Sequence, residues 1–166
     1  MSAPEGMPAG ARAVVLTVSD RSHGGARHDA SGPLLAELLR GLGFVVAEVV
    51  VVPDDQPQIE SALRRAVTGG ADLVATTGGT GLAPRDVTPE ATRAVIDREA
   101  PGLAEALRQH NRAAVPTTIL SRAVAGVAGA TLVVNLPGST GGVRDGVDVL
   151  APVIGHAVAQ LRGGDH

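Results

Sequence analysis

Apolar residues in this chain fall into short β-branched runs separated by longer stripes at helical spacing. The runs at residues 13–18, 44–52, 71–77 and 131–135 read as buried strands, each stopped by Ser, Asp, Gly or Pro. Between them, Leu34, Leu35, Leu38, Leu39 and Leu42 make one helical stripe, ended by Gly41 and Gly43. Ile59, Ala62, Leu63, Ala66 and Val67 make a second, ended by Thr68-Gly69-Gly70. A helix is predicted from Pro89 to about Asp97, and another restarts at Ala100-Pro101-Gly102 with Leu103 and Leu107 on its buried side. Residues 116–122 read as one helical turn, and the small residues 123–129 as a close-packed stretch or hairpin. Val143, Val147, Leu150, Ile154, Val158 and Leu161 form the last stripe, which Pro152 should break or bend. Strands that alternate with helices in this way predict an α/β domain around a mostly parallel sheet.

Polar residues concentrate just beyond the predicted strands. In open α/β sheets ligands bind past the carboxyl ends of the strands, which singles out Ser19, Asp20, Asp54 and the turn Asn135-Leu136-Pro137-Gly138-Ser139. The densest such stretch is Thr76-Thr77-Gly78-Gly79-Thr80-Gly81-Leu82-Ala83-Pro84-Arg85-Asp86-Val87-Thr88-Pro89-Glu90, with Thr88 the candidate N-cap of the following helix and Pro89 its first residue. Three glycines in four positions let backbone N–H groups surround an anion, and the helix start behind them adds partial positive charge. Asp86 beside a phosphate site is unfavourable unless a cation lies between, which suggests Mg²⁺ and a polyphosphate. The same residues also suit a tight strand-to-helix turn with no ligand. Spacing alone makes Asp55 an N-cap and Asp54 a solvated turn residue, and lets Asp29 or Ser31 cap the helix before Pro33.

Composition narrows the chemistry. All fourteen basic residues are arginine and formal net charge is −3, with Phe44 the only aromatic residue. The absence of a basic stripe and of stacking aromatics argues against nucleic acid, and the absence of lysine excludes Schiff-base catalysis. Without cysteine there is no disulfide, zinc–thiolate site or thiol nucleophile. The five histidines match no metal motif, and no G-x-S-x-G elbow occurs. Residues 1–11 lack the features of a secretory signal and read as a loose tail before one domain at 12–164. Every apolar run is too short for a membrane span, so a cytoplasmic protein is expected. Two aspartates, glycine loops and no covalent nucleophile suit phosphoryl or nucleotidyl transfer, in which the protein chiefly positions groups.

Read whole, TTGGTGLAPRDVTPEAT resembles the signature of the MogA/MoaB family of molybdopterin-binding proteins, which includes the G domain of gephyrin. LTVSD, HDASG, VPDDQ, LSRAVAG and TLVVNLPGS match in order, covering nearly all the chain after Ala11. The resemblance implies a three-layer α/β/α sandwich and a homotrimer. It also implies molybdopterin and ATP as substrates, with Mg²⁺: MogA-type members adenylylate the pterin and release pyrophosphate before a partner protein inserts molybdate. On this sequence it assigns Asp54 and Asp86 to the metal and to catalysis, and Thr77, Gly78, Gly79, Thr80 and Gly81 to the phosphate cradle. Ser19 and Asp20 join the site; Asp29, Ser31 and Gly32 fall on its nucleotide side; Ser121, Asn135, Pro137, Gly138 and Ser139 hold pterin or nucleotide. Two rivals are a non-catalytic carrier of the MoaB type and the competence-damage-inducible family, linked to nucleotide-sugar hydrolysis. Chains of the latter usually carry a further deamidase domain, whereas this sequence ends at His166.

Overall fold

The computed structural model describes residues 6–164. Strand β1 (Ala13–Val18) is followed by a one-turn helix α1 (Asp20–His23), α2 (Ser31–Gly41), β2 (Val49–Val52), α3 (Gln56–Thr68) and β3 (Leu73–Thr77). Then come α4 (Thr88–Val95), the two-residue strand β4 (Arg98–Glu99), α5 (Pro101–Gln109) and a 3-10 turn at Pro116–Leu120. β5 (Ala125–Ala128), β6 (Thr131–Leu136), α6 (Thr140–Leu150) and α7 (Ile154–Leu161) complete the chain. The strands form one sheet in the order β2-β1-β3-β6-β5-β4. Its first four strands run parallel, while β5 pairs antiparallel with both β6 and β4.

The two-residue period of the strands divides the core into two layers. From β1, Ala13 and Val15 face one side with Leu73 and Ala75 of β3 and Leu132 and Val134 of β6, packed under α2, α6 and α7. Leu16, Val18, Val74 and Val133 face the other side, under Ile59 and Leu63 of α3 and Ala91 and Val95 of α4. The expected three-layer α/β/α sandwich is what forms.

Local differences from the sequence reading have physical causes. The run at 44–52 is strand only from Val49: Phe44 and Val46 turn into the core, and Val45 makes a single bridge to Arg12. The stretch beyond β1 begins with α1, capped by Ser19 Oγ accepting the Ser22 N–H at 3.2 Å. Arg98 and Glu99, between the two predicted helices, form an exposed edge strand. Thr88 is the first residue of α4 rather than its N-cap; that place is Val87, and the Thr88 hydroxyl donates to Gly78 O at 3.0 Å. Pro152 lies in a turn that separates α6 from α7, the break expected there. Of the tail expected at 1–11, residues 1–5 lie outside the described residues. Met7 packs partly against the core, Ala9 O accepts from Arg162, and Ala11 is fully buried, so the chain is engaged before Arg12.

Candidate active site

The parallel registers Val18↔Val52, Thr17↔Thr77 and Thr77↔Leu136 bring the carboxyl ends of β2, β1, β3 and β6 to one rim. Every segment singled out beyond those strands therefore converges. Gly78 and Gly79 have φ of 99° and 68°, in the left-handed region that glycine tolerates. Neither has room for a side chain: a Cβ would lie 2.3 Å from Val18 O at Gly78 and 2.3 Å from Thr88 Oγ1 at Gly79. Thr88 fixes both carbonyls, its hydroxyl donating to Gly78 O and its N–H to Gly79 O. The amides of Gly79, Thr80 and Gly81 have no protein acceptor among the described residues, so they remain as donors for an anion beside the start of α4.

Asp20 and Asp54 face each other across the ends of β1 and β2. The Asp54 N–H donates to Asp20 Oδ1 at 2.9 Å, and the Asp20 N–H to Asp54 Oδ2 at 2.9 Å. Arg85 completes the group: its Nε and NH2 donate to the two Asp20 oxygens at 2.5 and 3.0 Å, and NH2 also donates to Asp54 O. These hydrogen bonds from Arg85 hold the Asp20 carboxyl below the usual aspartate range. Burial pushes Asp54 the other way, above it, helped by the negative charges of Asp20 and Asp86.

Asp54 Oδ1 points at the loop, 3.2 Å from where a Gly79 Cβ would sit, and Asp86 Oδ2 lies 2.8 Å from the corresponding point on Gly81. Two carboxylates thus close on a ridge kept bare by glycine. Spacing had favoured a solvated Asp54; the structure instead places it in this half-buried group, while Asp55 caps α3 by accepting the Gln58 N–H.

Two cavities flank the ridge. One, about 290 Å³, is polar and lined by Thr17, Ser19, His28, Asp29, Gly78 and Ser139 among others. The other, about 590 Å³, is more apolar and lined by Thr80, Gly81, Leu82, Val115, Leu120 and Ser121 among others. Ser139 alone lines both. On the polar side Gly138 stands against Gly78, where a Cβ on Gly138 would meet Gly78 Cα at 3.2 Å.

Asp29 and Ser31 line the polar cavity, and Gly32 follows them in the first turn of α2. Asp29 Oδ1 accepts the Gly32 N–H of that turn at 3.0 Å, one residue ahead of the N-cap Ala30, and its Oδ2 accepts the Thr17 hydroxyl at 2.8 Å. Gly32 is required, because a Cβ would fall 2.2 Å from Thr17 Oγ1. Ser139 Oγ caps α6 through Gly142 N–H, Ser121 Oγ accepts the Ala123 N–H, and Thr77 Oγ1 donates to Pro137 O.

Asn135 is a correction. It is fully buried, its amide donating to Thr76 Oγ1 and Thr92 Oγ1 and its Oδ1 accepting the Val124 N–H. With both donors spent, this side chain supports the rim from below rather than meeting a ligand. Arg122 was missed. It donates to Gly81 O at 2.8 Å and Asp86 O at 2.6 Å and ion-pairs with Glu90. It lies within the matched segment LSRAVAG, but no local pattern showed that its side chain reaches the loop after β3.

Residues 14–156 match the model of a family described as a probable molybdopterin binding domain. The chain is 40% identical over 164 residues to a molybdenum cofactor biosynthesis bifunctional protein of Synechococcus elongatus, covering 99% of this chain and 51% of that protein. It therefore spans about half the length of that bifunctional relative. A molybdopterin adenylyltransferase of Helicobacter pylori is 38% identical over 152 residues, covering 90% of this chain and 86% of that one. Among solved structures, a molybdopterin biosynthesis protein from Mycobacterium abscessus superposes with a TM-score of 0.88 at 51% identity, covering 92% of this chain and 97% of that one. Fold, motif order and these matches agree: the chain belongs to the MogA/MoaB family of molybdopterin-binding domains.

Proposed function

We propose that this domain binds molybdopterin and ATP and transfers the adenylyl group of ATP to the pterin phosphate, releasing pyrophosphate. The observation that carries this reading is the pair of carboxylates, Asp54 and Asp86, closing on a side-chain-free glycine ridge between a polar and a more apolar cavity. Nucleotide suits the polar side, where hydroxyls and Asp29 face the cavity; pterin suits the side lined by Leu82, Val115 and Leu120.

The donor set fits a divalent cation. Two carboxylate oxygens approach the ridge where a Cβ would otherwise stand, and hard oxygen ligands beside a polyphosphate are what Mg²⁺ takes. Asp54 and Asp86 would hold it, and it would neutralise charge on the phosphates when bound. The amides of Gly79, Thr80 and Gly81 bind the anionic oxygens. Arg85 keeps Asp20 paired, which in turn fixes Asp54 through the reciprocal backbone bonds. An oxygen of the pterin phosphate then attacks the α-phosphorus in line, and the bond to the β-phosphate breaks. The protein supplies alignment rather than a covalent nucleophile.

We take residues 12–164 to be one domain, working as a homotrimer in the cytoplasm and passing its product to a molybdate-inserting partner. Light scattering on the purified protein checks the trimer. The decisive assay is pyrophosphate release from molybdopterin and Mg-ATP, run beside Asp54→Ala and Asp86→Ala. Release by the wild type alone, with adenylylated pterin as product, supports the transferase. Tight pterin binding with no release would replace it with a carrier.

A further inference from the structure

The loop from Thr80 to Asp86 carries one of the two carboxylates, yet its backbone has almost no regular hydrogen bonding of its own. Within it, only the Asp86 N–H to Ala83 O bond and the Ala83 N–H to Asp86 Oδ2 bond close locally. Leu82, Ala83, Pro84 and Arg85 are exposed. Something outside the loop must set its shape.

The Arg85 side chain anchors the loop outward to Asp20 and Asp54 O, and Arg122 holds the loop backbone from one position. The Arg122 backbone N–H donates to Thr80 O at 2.8 Å, Nε donates to Gly81 O at 2.8 Å, and NH2 donates to Asp86 O at 2.6 Å. The remaining nitrogen, NH1, ion-pairs with Glu90 in the first turn of α4. The loop's two ends and the helix behind it are thus gripped by a single planar fork. A lysine could keep the charge opposite Glu90 but could not reach both carbonyls. Arg122 also directly follows Leu120 and Ser121, which line the apolar cavity. It therefore joins the wall of one cavity to the carboxylate bordering the ridge.

We propose that Arg122 is a positioning residue that sets the Asp86 carboxylate for the cation, acting through the loop backbone without touching either substrate. This rests on the reading of Asp86 given above. Residues that orient a metal ligand typically cost about 10- to 100-fold in metal affinity or activity when changed.

The test compares wild type with Arg122→Lys, Arg122→Ala and Glu90→Gln by two readouts other than turnover. Hydrogen exchange reports on amides 80–86, and electron paramagnetic resonance of free Mn²⁺, titrated with a non-hydrolysable α,β-methylene ATP, reports metal affinity. Arg122→Lys should speed exchange in the loop about 10-fold while β3 and α3 exchange as before. It should weaken Mn²⁺ about 10- to 100-fold, with pterin affinity unchanged. Glu90→Gln, which spares both carbonyl bonds, should do much less. Loop exchange or Mn²⁺ affinity at wild-type levels in Arg122→Lys overturns the proposal, as does an equal effect from Glu90→Gln, which would reduce Arg122 to an ion-pair partner. If wild type binds no Mn²⁺ with the nucleotide, the metal reading of Asp86 falls and this proposal with it. If the metal binds but no pyrophosphate is released, the transferase reading fails separately.

Discussion

Asp20 and Asp54 each accept the other's backbone N–H, both at 2.9 Å, so the carboxyl ends of β1 and β2 are locked by a two-bond ring. Arg85 sits on Asp20 and holds its carboxyl low, which leaves Asp54 as the carboxyl that burial pushes up. Asp20→Ala removes half the ring and the Arg85 partner together. Turnover should fall about 10- to 100-fold through misplacement of Asp54, as for other residues that orient a ligand group. The check is whether Asp20→Asn, whose one amide oxygen can still accept the Asp54 N–H but not the Arg85 Nε–H as well at the second oxygen, recovers part of it.

Burial raises the Asp54 pKa above the ordinary 3.8. Between the unfolded value and the raised folded one, the native state binds the extra proton, so stability falls as pH rises through that window and a fixed penalty persists above it. Asp54→Asn keeps the hydrogen bond from Asp20 and removes the penalty. Its Tm at neutral pH should rise by about 1–3 °C, while turnover drops by on the order of 10²–10³. A Tm below wild type for Asp54→Asn counts against this account.

At the opposite end of the sheet, Arg162 donates to both Asp72 oxygens at 2.8 Å and holds that carboxyl below its usual range. Here the sign reverses: the stabilisation is complete above the unfolded pKa and is lost as pH falls through the folded one. Asp72→Asn should lower Tm by a few degrees at pH 7 and by progressively less towards pH 3. Thermal melts across that range decide it, and a constant gap would be inconsistent.

Asn135→Ala would leave the Val124 N–H and the Thr76 and Thr92 hydroxyls without their partner in a region closed to water. The expected loss is about 2–4 kcal/mol, read as a lower urea midpoint with unchanged slope. A variant as stable as wild type but unable to bind pterin would restore Asn135 to the ligand-binding role first expected of it.

Gly78→Ala should fail to fold stably, losing about 3 kcal/mol or more, because its Cβ would lie 2.3 Å from Val18 O at a φ of 99°. Gly102→Ala, in α5 with nothing within 4 Å of the new Cβ, should gain about 0.5 kcal/mol. The pair separates steric need from mere presence of glycine, and denaturant melts of both variants settle it.

What the sequence made legible follows from periodicity. Alternation in β1 and β3 and the leucine stripe of α2 show which faces are buried, and with them the rim on which Asp54 and Asp86 meet. What it concealed is tertiary. α1 is four residues long and β4 two, too short for any period to register. Val45 and Glu48 look like strand residues because β-branched neighbours surround them, but the chain is pulled aside where Phe44 and Val46 enter the core. Asn135 and Arg122 are single polar residues whose partners lie at least eleven positions away in sequence, and no local pattern reports such pairings.

Gly138 packs on Gly78 at the edge of the polar cavity, and neither residue reaches the more apolar one. Since Ser139 alone borders both rooms, a guest in one takes no space from a guest in the other. On the proposed placement of nucleotide in one and pterin in the other, the two reactants can arrive in either order without competing for entry. Initial-rate plots for the pair should intersect rather than run parallel, as they do when both molecules must be present together before any bond changes hands.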